Sequence, residues 1–363
     1  MLRMILALVL SAAIVLLTGP HFIAWLRKLK LGQTIYELGP ESHKKKQGTP
    51  IMGGLFIALG CVVAFVVCGV TLGAWDHMLA LLFVSLGSMA VGFGDDWIKM
   101  VKKRHEGLTP WQKIIGQAIV CVGFACYCYF HPEIGSEVHI PFTGIMWDLG
   151  IFYIPLLALT VLFMVNSANL QDGLDGILST VTSVGSIGWA AIALIAVSSL
   201  TGLARGASYG IPLVDYPEMT DAAAIANLQG TYNTIAVFAL ALCGACIAFL
   251  RFNRYPATIF MGDTGSMFIG GAVVGMAMLL REPFLLLLIG FTMVMSSVSV
   301  ILQRYYYKLT RKIFGEPRRL FKMSPIHHHF EKCGMKETSI VRMYAIITAV
   351  LTVIAVFSIN KIF

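Results

Sequence analysis

Charged residues are scarce in this chain of 363 residues, since Asp, Glu, Lys and Arg make up only 13% of it. A soluble domain carries about 25%. Acidic residues are the rarer kind, 19 against 27 Lys and Arg, while hydrophobic residues reach 57% and the mean hydropathy is +0.79. The composition therefore excludes an ordinary soluble protein and predicts an integral membrane protein.

Several motifs of soluble proteins are also missing. The sequence has no G-x-x-x-x-G-K-[ST] loop and no G-x-G-x-x-G loop, so nucleotide-binding domains of those kinds are not predicted. Cys243 and Cys246 form a C-x-x-C pair, but no second pair or nearby His supports a zinc site there. No nucleic-acid-binding motif is present, and we expect no nucleic-acid partner.

Long apolar runs recur along the whole chain and are typical of membrane-spanning helices. There are ten of them, at 4–26, 51–70, 78–95, 112–130, 148–166, 174–198, 231–250, 259–279, 283–303 and 340–359. The first run is too long for a signal peptide and has no A-x-A-like cleavage site, so we interpret it as a retained span. We predict an all-α integral membrane protein with about ten transmembrane helices, forming a single domain over residues 1–363.

Basic residues predict which ends of the spans face the cytoplasm. All but four of the 27 Lys and Arg fall in the connections after spans 1, 3, 5, 7 and 9 or in the first three residues of the span that follows; the exceptions are Arg3, Arg205, Arg281 and Lys361. Basic loops are usually cytoplasmic. We therefore predict that these connections are cytoplasmic and that both termini are extracytoplasmic. Gly271 and Gly275 form a G-x-x-x-G pair in a span, which is weak evidence for a dimer.

The few acidic residues mark the same predicted face. Asp95 and Asp96 end the third run in "GFGDDWIK", Asp172 and Asp175 lie in "NSANLQDGLDG", and Asp263 opens the eighth run in "FMGDTGS". A single Asp, such as Asp263 or Asp175, could simply cap a helix. Five on one face of a membrane protein are instead candidates for function.

Adjacent carboxylates repel each other, so a cation is expected beside Asp95 and Asp96. Mg²⁺ takes oxygen ligands and is commonly held by one or two carboxylates together with substrate phosphates. Lys99 follows Asp96 by three residues and is near the same helical face, where it could contact a phosphate. The sequence thus predicts a magnesium and phosphate site at this face.

Two further polar segments share the predicted cytoplasmic side. In "SHKKKQGTPIMGG", His43, Lys46 and Thr49 lie in a basic stretch that favours an anionic substrate. In "MSPIHHHFEKCG", residues 327–329 are three consecutive histidines. Three such neighbours rarely converge on one metal ion. We interpret them as a hydrogen-bonding, weakly cationic patch for a phosphate or sugar, and a solvated polar loop is the alternative.

These segments together resemble the phospho-N-acetylmuramoyl-pentapeptide-transferase family, within the polyprenyl-phosphate N-acetylhexosamine-1-phosphate transferase superfamily. The resemblance covers essentially the full length and is carried by "HKKKQGTPIMGG", "GFGDDWIK", "NSANLQDGLDG", "FMGDTGSMFIGG" and "PIHHHFE". It implies a homodimeric, Mg²⁺-dependent enzyme of the bacterial cytoplasmic membrane with its active site facing the cytoplasm. Such an enzyme transfers phospho-MurNAc-pentapeptide from the UDP-linked precursor to undecaprenyl phosphate, giving lipid I and UMP.

The resemblance also implies roles for individual residues. The implied metal ligands are Asp263, Asp95, Asp96 and Asn169, and the implied catalytic residues are Asp95, Asp96, Asp263 and His327. The implied substrate-binding residues are His43, Lys46, Thr49, Lys99, Lys113, Asn169, Asp172, Asp175, Asn253, Phe260, His328 and His329. Phe260 could stack on the uracil base, or it could equally face lipid.

The sequence leaves two alternative functions open, a secondary transporter and a different phosphosugar transferase. It also leaves open one alternative mechanism for the transfer. A secondary transporter would place its polar residues near the midplane of the membrane, whereas here they lie at one face. Another phosphosugar transferase of the superfamily would use a different sugar nucleotide. Asp95 could act as a covalent nucleophile, but we favour direct attack, because the acceptor phosphate already ionises near pH 6.

Overall fold

The computed structural model describes residues 1–28, 48–102, 106–204 and 222–359, and these residues are mostly helical. The first helices are α1 Leu2–Lys28, α2 Gly54–Gly69, α3 Trp75–Val101 and α4 Pro110–Phe130. A hairpin of β1 Glu137–Ile140 and β2 Ile145–Asp148 follows. The remaining helices are α5 Tyr153–Gln171, α6 Ile177–Ala204, α7 Ala222–Asn253, α8 Gly262–Leu279, α9 Leu286–Ile289, α10 Phe291–Phe314, α11 Ile326–Lys332 and α12 Glu337–Ser358.

Nine helices in the described ranges are long and apolar enough to cross a membrane, namely α1 to α8 and α12. The segment Pro283–Ile289 and α10 together would make a tenth span, but the chain bends by 86° between them. The protein is therefore a multi-pass membrane protein, and the residues that the structure describes form nine or ten spans, in agreement with the apolar runs.

The apolar run 283–303 predicts one continuous span, but in the structure the helix breaks at Gly290. A Cβ atom at Gly290 would lie only 2.7 Å from the carbonyl oxygen of Leu286 and 2.9 Å from Met164 Cε. Glycine thus allows the chain to turn tightly against α5. An isolated glycine in an apolar run does not by itself reveal such a bend.

Helix α8 lies at the centre of the bundle, and all its residues from Thr264 to Leu279 are buried. Its small residues let α3 approach closely. A Cβ atom at Gly271 would lie 2.5 Å from the carbonyl oxygen of Val84, and one at Gly275 would lie 2.8 Å from Val84 Cγ1. The G-x-x-x-G pair therefore packs against α3 within the chain, so its spacing is no evidence for a dimer.

The hairpin β1–β2 was not expected from the sequence. Its strands pair antiparallel, with Val138 opposite Trp147. His139 fixes the hairpin to the residues after α8, since its N–H donates to the carbonyl oxygen of Arg281 and its Nδ1 lies 2.7 Å from Glu282 Oε1. Each strand has only four residues, and only two residues of the hairpin are buried. An alternation of apolar and polar residues this short is not recognisable in a chain of long apolar runs.

Candidate active site

Three aspartates predicted from sequence meet where α3 ends and α8 begins. Asp95, Asp96 and Asp263 each offer a carboxylate oxygen, and these oxygens lie within 4.8 Å of one another. The approach depends on Gly92, one turn before Asp96, because a Cβ atom there would lie 2.2 Å from the backbone oxygen of Asp263. The glycine near the paired aspartates is thus what brings the third aspartate to them.

Asp263 is contacted by two lysines and an amide. Lys99 Nζ and Lys113 Nζ lie 3.2 Å and 2.9 Å from its Oδ2, and Asn169 Nδ2 donates to its Oδ1 over 2.8 Å. Asn169 also donates to Ser266 Oγ. The structure thus places these sequence-predicted residues from α3, α4 and α5 around the first turn of α8.

Asp96 holds the N-terminus of α8 from a neighbouring helix. Its Oδ2 accepts hydrogen bonds from Thr264 N–H and Thr264 Oγ1–H over 2.9 Å and 2.7 Å, and Asp263 N–H donates to its Oδ1 over 3.2 Å. A carboxylate at a helix N-terminus satisfies otherwise unpaired backbone donors. Asp263 does not cap this helix, because the cap position is Met261 and no side-chain cap bond is present there.

Asp95 connects α3 to the start of α4. Its Oδ2 lies 2.6 Å from Lys99 Nζ, one helical turn away, and its Oδ1 accepts from Leu108 N–H over 2.9 Å. The next residue, Thr109, begins α4 with a reciprocal capping box to Gln112. This fixed start directs Lys113, in the first turn of α4, towards Asp263.

Asp172 follows α5 and is affected by the same cluster. The pKa of its carboxyl is raised to about 8, mainly by burial and in addition by the negative charges of Asp263, Asp96 and Asp175. Asp172 is therefore mostly protonated at neutral pH when no cation is bound, and it can donate a hydrogen bond.

Asp175 and Asn253 bind the chain segment between α7 and α8. Asp175 Oδ2 accepts from Ala257 N–H over 2.9 Å, and its own N–H donates to the carboxylate of Glu337. Asn253 Oδ1 accepts from Gly176 N–H, and its Nδ2 donates to the carbonyl oxygen of Ile259. Both side chains thus shape the wall of the site, in addition to any contact with a substrate.

The three histidines of α11 separate into two groups. His327 and His328 lie against Gly173, where an added Cβ atom would come within 2.3 Å and 2.9 Å of their Nε2 atoms. His328 Nδ1 also lies 3.1 Å from Glu331 Oε2. His329 faces away, with its Nδ1 accepting from Lys322 N–H. Two of the three therefore lie next to the segment that carries Asp172 and Asp175.

The segment before α2 runs beside the start of α8. Phe260 N–H donates to the carbonyl oxygen of Pro50, and Gly53 N–H donates to that of Phe260. Thr49, next to Pro50, and Phe260 are both partly buried. His43 and Lys46, which were predicted to bind substrate, lie outside the described residues.

Comparison with known proteins decides the family. The family model "Glycosyl transferase family 4" matches residues 78–281. A phospho-N-acetylmuramoyl-pentapeptide-transferase of Heliobacterium modesticaldum is 39% identical over 93% of this chain and 92% of its own length. Proteins of the same name are 39% identical in Clostridium perfringens strain SM101, over 97% and 96%, and 40% identical in Clostridioides difficile, over 95% of each chain.

The chain belongs to the phospho-N-acetylmuramoyl-pentapeptide-transferase family.

The family match confirms the resemblance carried by the sequence motifs. The region matched by glycosyl transferase family 4 contains Asp95, Asp96 and Asp263 and ends before the histidines of α11. The similarity to the phospho-N-acetylmuramoyl-pentapeptide-transferases extends over nearly the whole chain. This is a family of membrane-bound transferases, in agreement with the helices described above.

Three polar residues of the site were missed by sequence reasoning. Thr264 and Ser266 stabilise Asp96 and Asn169, respectively, and Glu337 binds the backbone of Asp175. The first two lie one and three residues after Asp263 in "MGDTGS", and this closeness could have indicated them. Glu337 opens α12, far along the chain from Asp175, and no sequence signal joins the two.

Proposed function

We propose that this protein transfers phospho-MurNAc-pentapeptide from UDP-MurNAc-pentapeptide to undecaprenyl phosphate, producing lipid I and UMP. It would act in the bacterial cytoplasmic membrane, with the cluster around Asp263 facing the cytoplasm. The observation that carries the proposal is the meeting of three aspartates and two lysines at one end of an apolar helix bundle. The names of the relatives support it.

The donor set suits Mg²⁺, which prefers hard oxygen ligands. We propose that Asp263, Asp95 and the amide oxygen of Asn169 hold the ion, because their side chains lie together at the start of α8. Asp96 was also predicted as a ligand, but both its oxygens already accept hydrogen bonds from backbone N–H groups of α8. By contrast, Asp95 Oδ2 contacts the mobile side chain of Lys99, which can move when the ion binds. The main role of Asp96 would be to fix the position of Asp263. A bound Mg²⁺ would supply positive charge to the diphosphate.

Lys99 and Lys113 would bind the phosphates of the two substrates. Their ammonium groups now contact Asp263 Oδ2, and both side chains are less than a third exposed. Negative charge on the departing UMP would be stabilised by such fixed cations. Lys99 and Lys113 would therefore supply the positive charge with which the protein's own side chains stabilise the phosphates during transfer.

An apolar groove of about 560 Å³ suits the polyprenyl chain of the acceptor. It lies between α5, the hairpin β1–β2 and the bent pair formed by Pro283–Ile289 and α10, and its lining includes Trp147, Leu156, Phe284 and Val294. Its walls are mostly hydrocarbon, which suits an isoprenoid chain. The acceptor could thus stay in the membrane while its phosphate reaches the polar end of the bundle.

For Asp95 we propose a positioning role rather than nucleophilic attack. One of its oxygens binds Lys99 and the other binds the backbone of Leu108. Such contacts lower the nucleophilicity of a carboxylate and fix its orientation. The acceptor phosphate, which is mostly dianionic at neutral pH, would attack the donor directly.

The purified protein provides the test. We expect UMP release from UDP-MurNAc-pentapeptide only when undecaprenyl phosphate and Mg²⁺ are both present, and little release from UDP-N-acetylglucosamine under the same conditions. Exchange of labelled UMP into the donor should also require the lipid acceptor. No UMP release with both substrates would refute the proposed function. Exchange in a preparation freed of polyprenyl phosphate would refute only the direct mechanism and support a covalent Asp95 intermediate.

A further inference from the structure

Asp76, His77 and His131 come together at the end of α3 opposite Asp95. Asp76 and His77 lie in the first turn of α3, and His131 directly follows α4. At a rise of 1.5 Å per residue, Asp76 and Asp95 are about 28 Å apart along the helix. This cluster is therefore separate from the site proposed for transfer.

The ligand atoms of this cluster are close enough to share one ion. His77 Nδ1 lies 3.1 Å from Asp76 Oδ1, and His131 Nε2 lies 2.9 Å from Asp76 Oδ2. One ligand atom from each residue lies within 4.8 Å of the others. Ligands of a tetrahedral Zn²⁺ at about 2.0–2.1 Å are roughly 3.4 Å apart, so only small movements would be needed.

We propose that Asp76, His77 and His131 bind a divalent transition metal, with Zn²⁺ as the expected ion. Two imidazoles and one carboxylate are a donor set that Zn²⁺ accepts and that Mg²⁺ does not favour. Asp76 is 53% exposed and His131 is 15% exposed, so the ion can enter from solvent. A water molecule would complete its coordination.

The surroundings of His77 support a metal site more than a simple hydrogen-bonded pair. Its side chain is only 1% exposed, and among the described residues its Nε2 is a buried atom without a hydrogen-bond partner. That nitrogen lies 3.6 Å from Glu133 Oε2, which also accepts a hydrogen bond from Thr231 Oγ1. Metal-bound histidines usually direct their second nitrogen at such a carboxylate.

Three existing contacts would have to change. Bonds to the ion would replace the contacts of His77 Nδ1 and His131 Nε2 with Asp76. Glu133 N–H donates to His131 Nδ1 over 3.3 Å, which places the proton of a neutral His131 on Nε2. Metal binding through Nε2 moves that proton to Nδ1, so this long contact must be released. The ion would then join the ends of α3 and α4 that now meet through Asp76.

Zinc binding by the full-length protein, without a polyhistidine tag, tests the proposal. Competition with a chromophoric indicator should show one more Zn²⁺ bound to the wild type than to Asp76→Ala or His131→Gln. The control His21→Gln alters an exposed histidine of α1 and should bind as the wild type does. Glu133→Gln should weaken binding by about 10- to 100-fold. Excess Mg²⁺ is added to compete with Zn²⁺ at the magnesium site proposed around Asp263.

Two further measurements make the result independent of folding and of transferase activity. The unfolding temperature of each variant in EDTA serves as its own reference, because the substitutions also remove metal-free contacts of Asp76. Only proteins with the intact cluster should gain unfolding temperature above that reference when Zn²⁺ is added. X-ray absorption of the bound ion should show two imidazoles with oxygen ligands. Equal zinc stoichiometry and affinity in the wild type, Asp76→Ala and His131→Gln would overturn the proposal.

Discussion

Asp263 is the residue at which the polar contacts of the site converge. Lys99, Lys113 and Asn169 all reach its carboxylate, although they lie on three other helices. The sequence predicted that Asp263 shares a face with Asp95 and Asp96, because all three lie at the ends of apolar runs. Its contact with Lys113 could not be derived from spacing, since 150 residues separate the two in sequence.

The change Asp263→Asn keeps the volume of the side chain and removes its charge. We expect transferase activity to fall by roughly 100-fold or more, the cost of losing one strong electrostatic contact in an active site. UMP release at several Mg²⁺ concentrations measures it. Asp148→Asn, an exposed residue of β2, is the matched control and should remain active. Near-normal turnover of a folded Asp263→Asn protein would contradict the assignment.

Asp172 should make the stability of the protein depend on pH. Its pKa is about 8 in the folded chain against an ordinary value of 3.8, so the folded state binds more protons than the unfolded state between these values. Stability is therefore present at low pH and lost as pH rises towards 8. Unfolding temperatures in EDTA should fall between about pH 5 and pH 8 for the wild type, and less for Asp172→Asn. If the unfolding temperatures of the wild type and Asp172→Asn depended on pH in the same way, Asp172 would not be the cause of the pH dependence.

Among the helices, α3 and α8 form the contact on which the site depends. Long apolar runs predict such helices well, because a backbone in lipid must satisfy its own hydrogen bonds. Their closest approach is harder to predict, since a glycine in a span has many possible neighbours. Gly92 meets Asp263, whereas Gly94 has only Leu108 Cδ1 nearby, at 3.9 Å from an added Cβ atom. The bend at Gly290 was missed for the same reason.

Alanine substitutions at Gly92 and Gly94 should differ in their effect on the stability of the protein. Gly92→Ala forces a methyl group to within 2.2 Å of the Asp263 backbone, so we expect a loss of about 1–3 kcal/mol in the free energy of unfolding and little activity. Gly94→Ala should be neutral or stabilise the helix by up to about 1 kcal/mol. Unfolding temperature and UMP release check both, and equal behaviour of the two variants would count against the close approach.

At the scale of the whole molecule, the distribution of basic residues predicts which end faces the cytoplasm. Cys333, just after α11, is the one exposed cysteine of the eight, and all eight are free. It belongs to the end that also carries the histidines of α11. Native Cys333 can therefore report the orientation of the protein in the membrane without any substitution there.

A membrane-impermeant maleimide should leave Cys333 unmodified in intact cells and modify it once the membrane is permeabilised. A cysteine introduced at Ile145, an exposed position of β2, should react in intact cells, because the hairpin lies at the opposite end. Mass spectrometry of the labelled peptides gives the result. Modification of Cys333 in intact cells would overturn the predicted topology.

The 86° bend between the segment Pro283–Ile289 and α10 affects how the acceptor would be supplied. The bend borders an apolar groove along α5 whose lining includes the exposed Leu156 and Leu159, so this groove is accessible from the side of the bundle. A lipid can then arrive by diffusion within the plane of the membrane and need never leave it. Under the proposed function, the mole fraction of acceptor among the surrounding lipids would therefore govern the rate. The concentration of acceptor per volume of solution would not govern the rate.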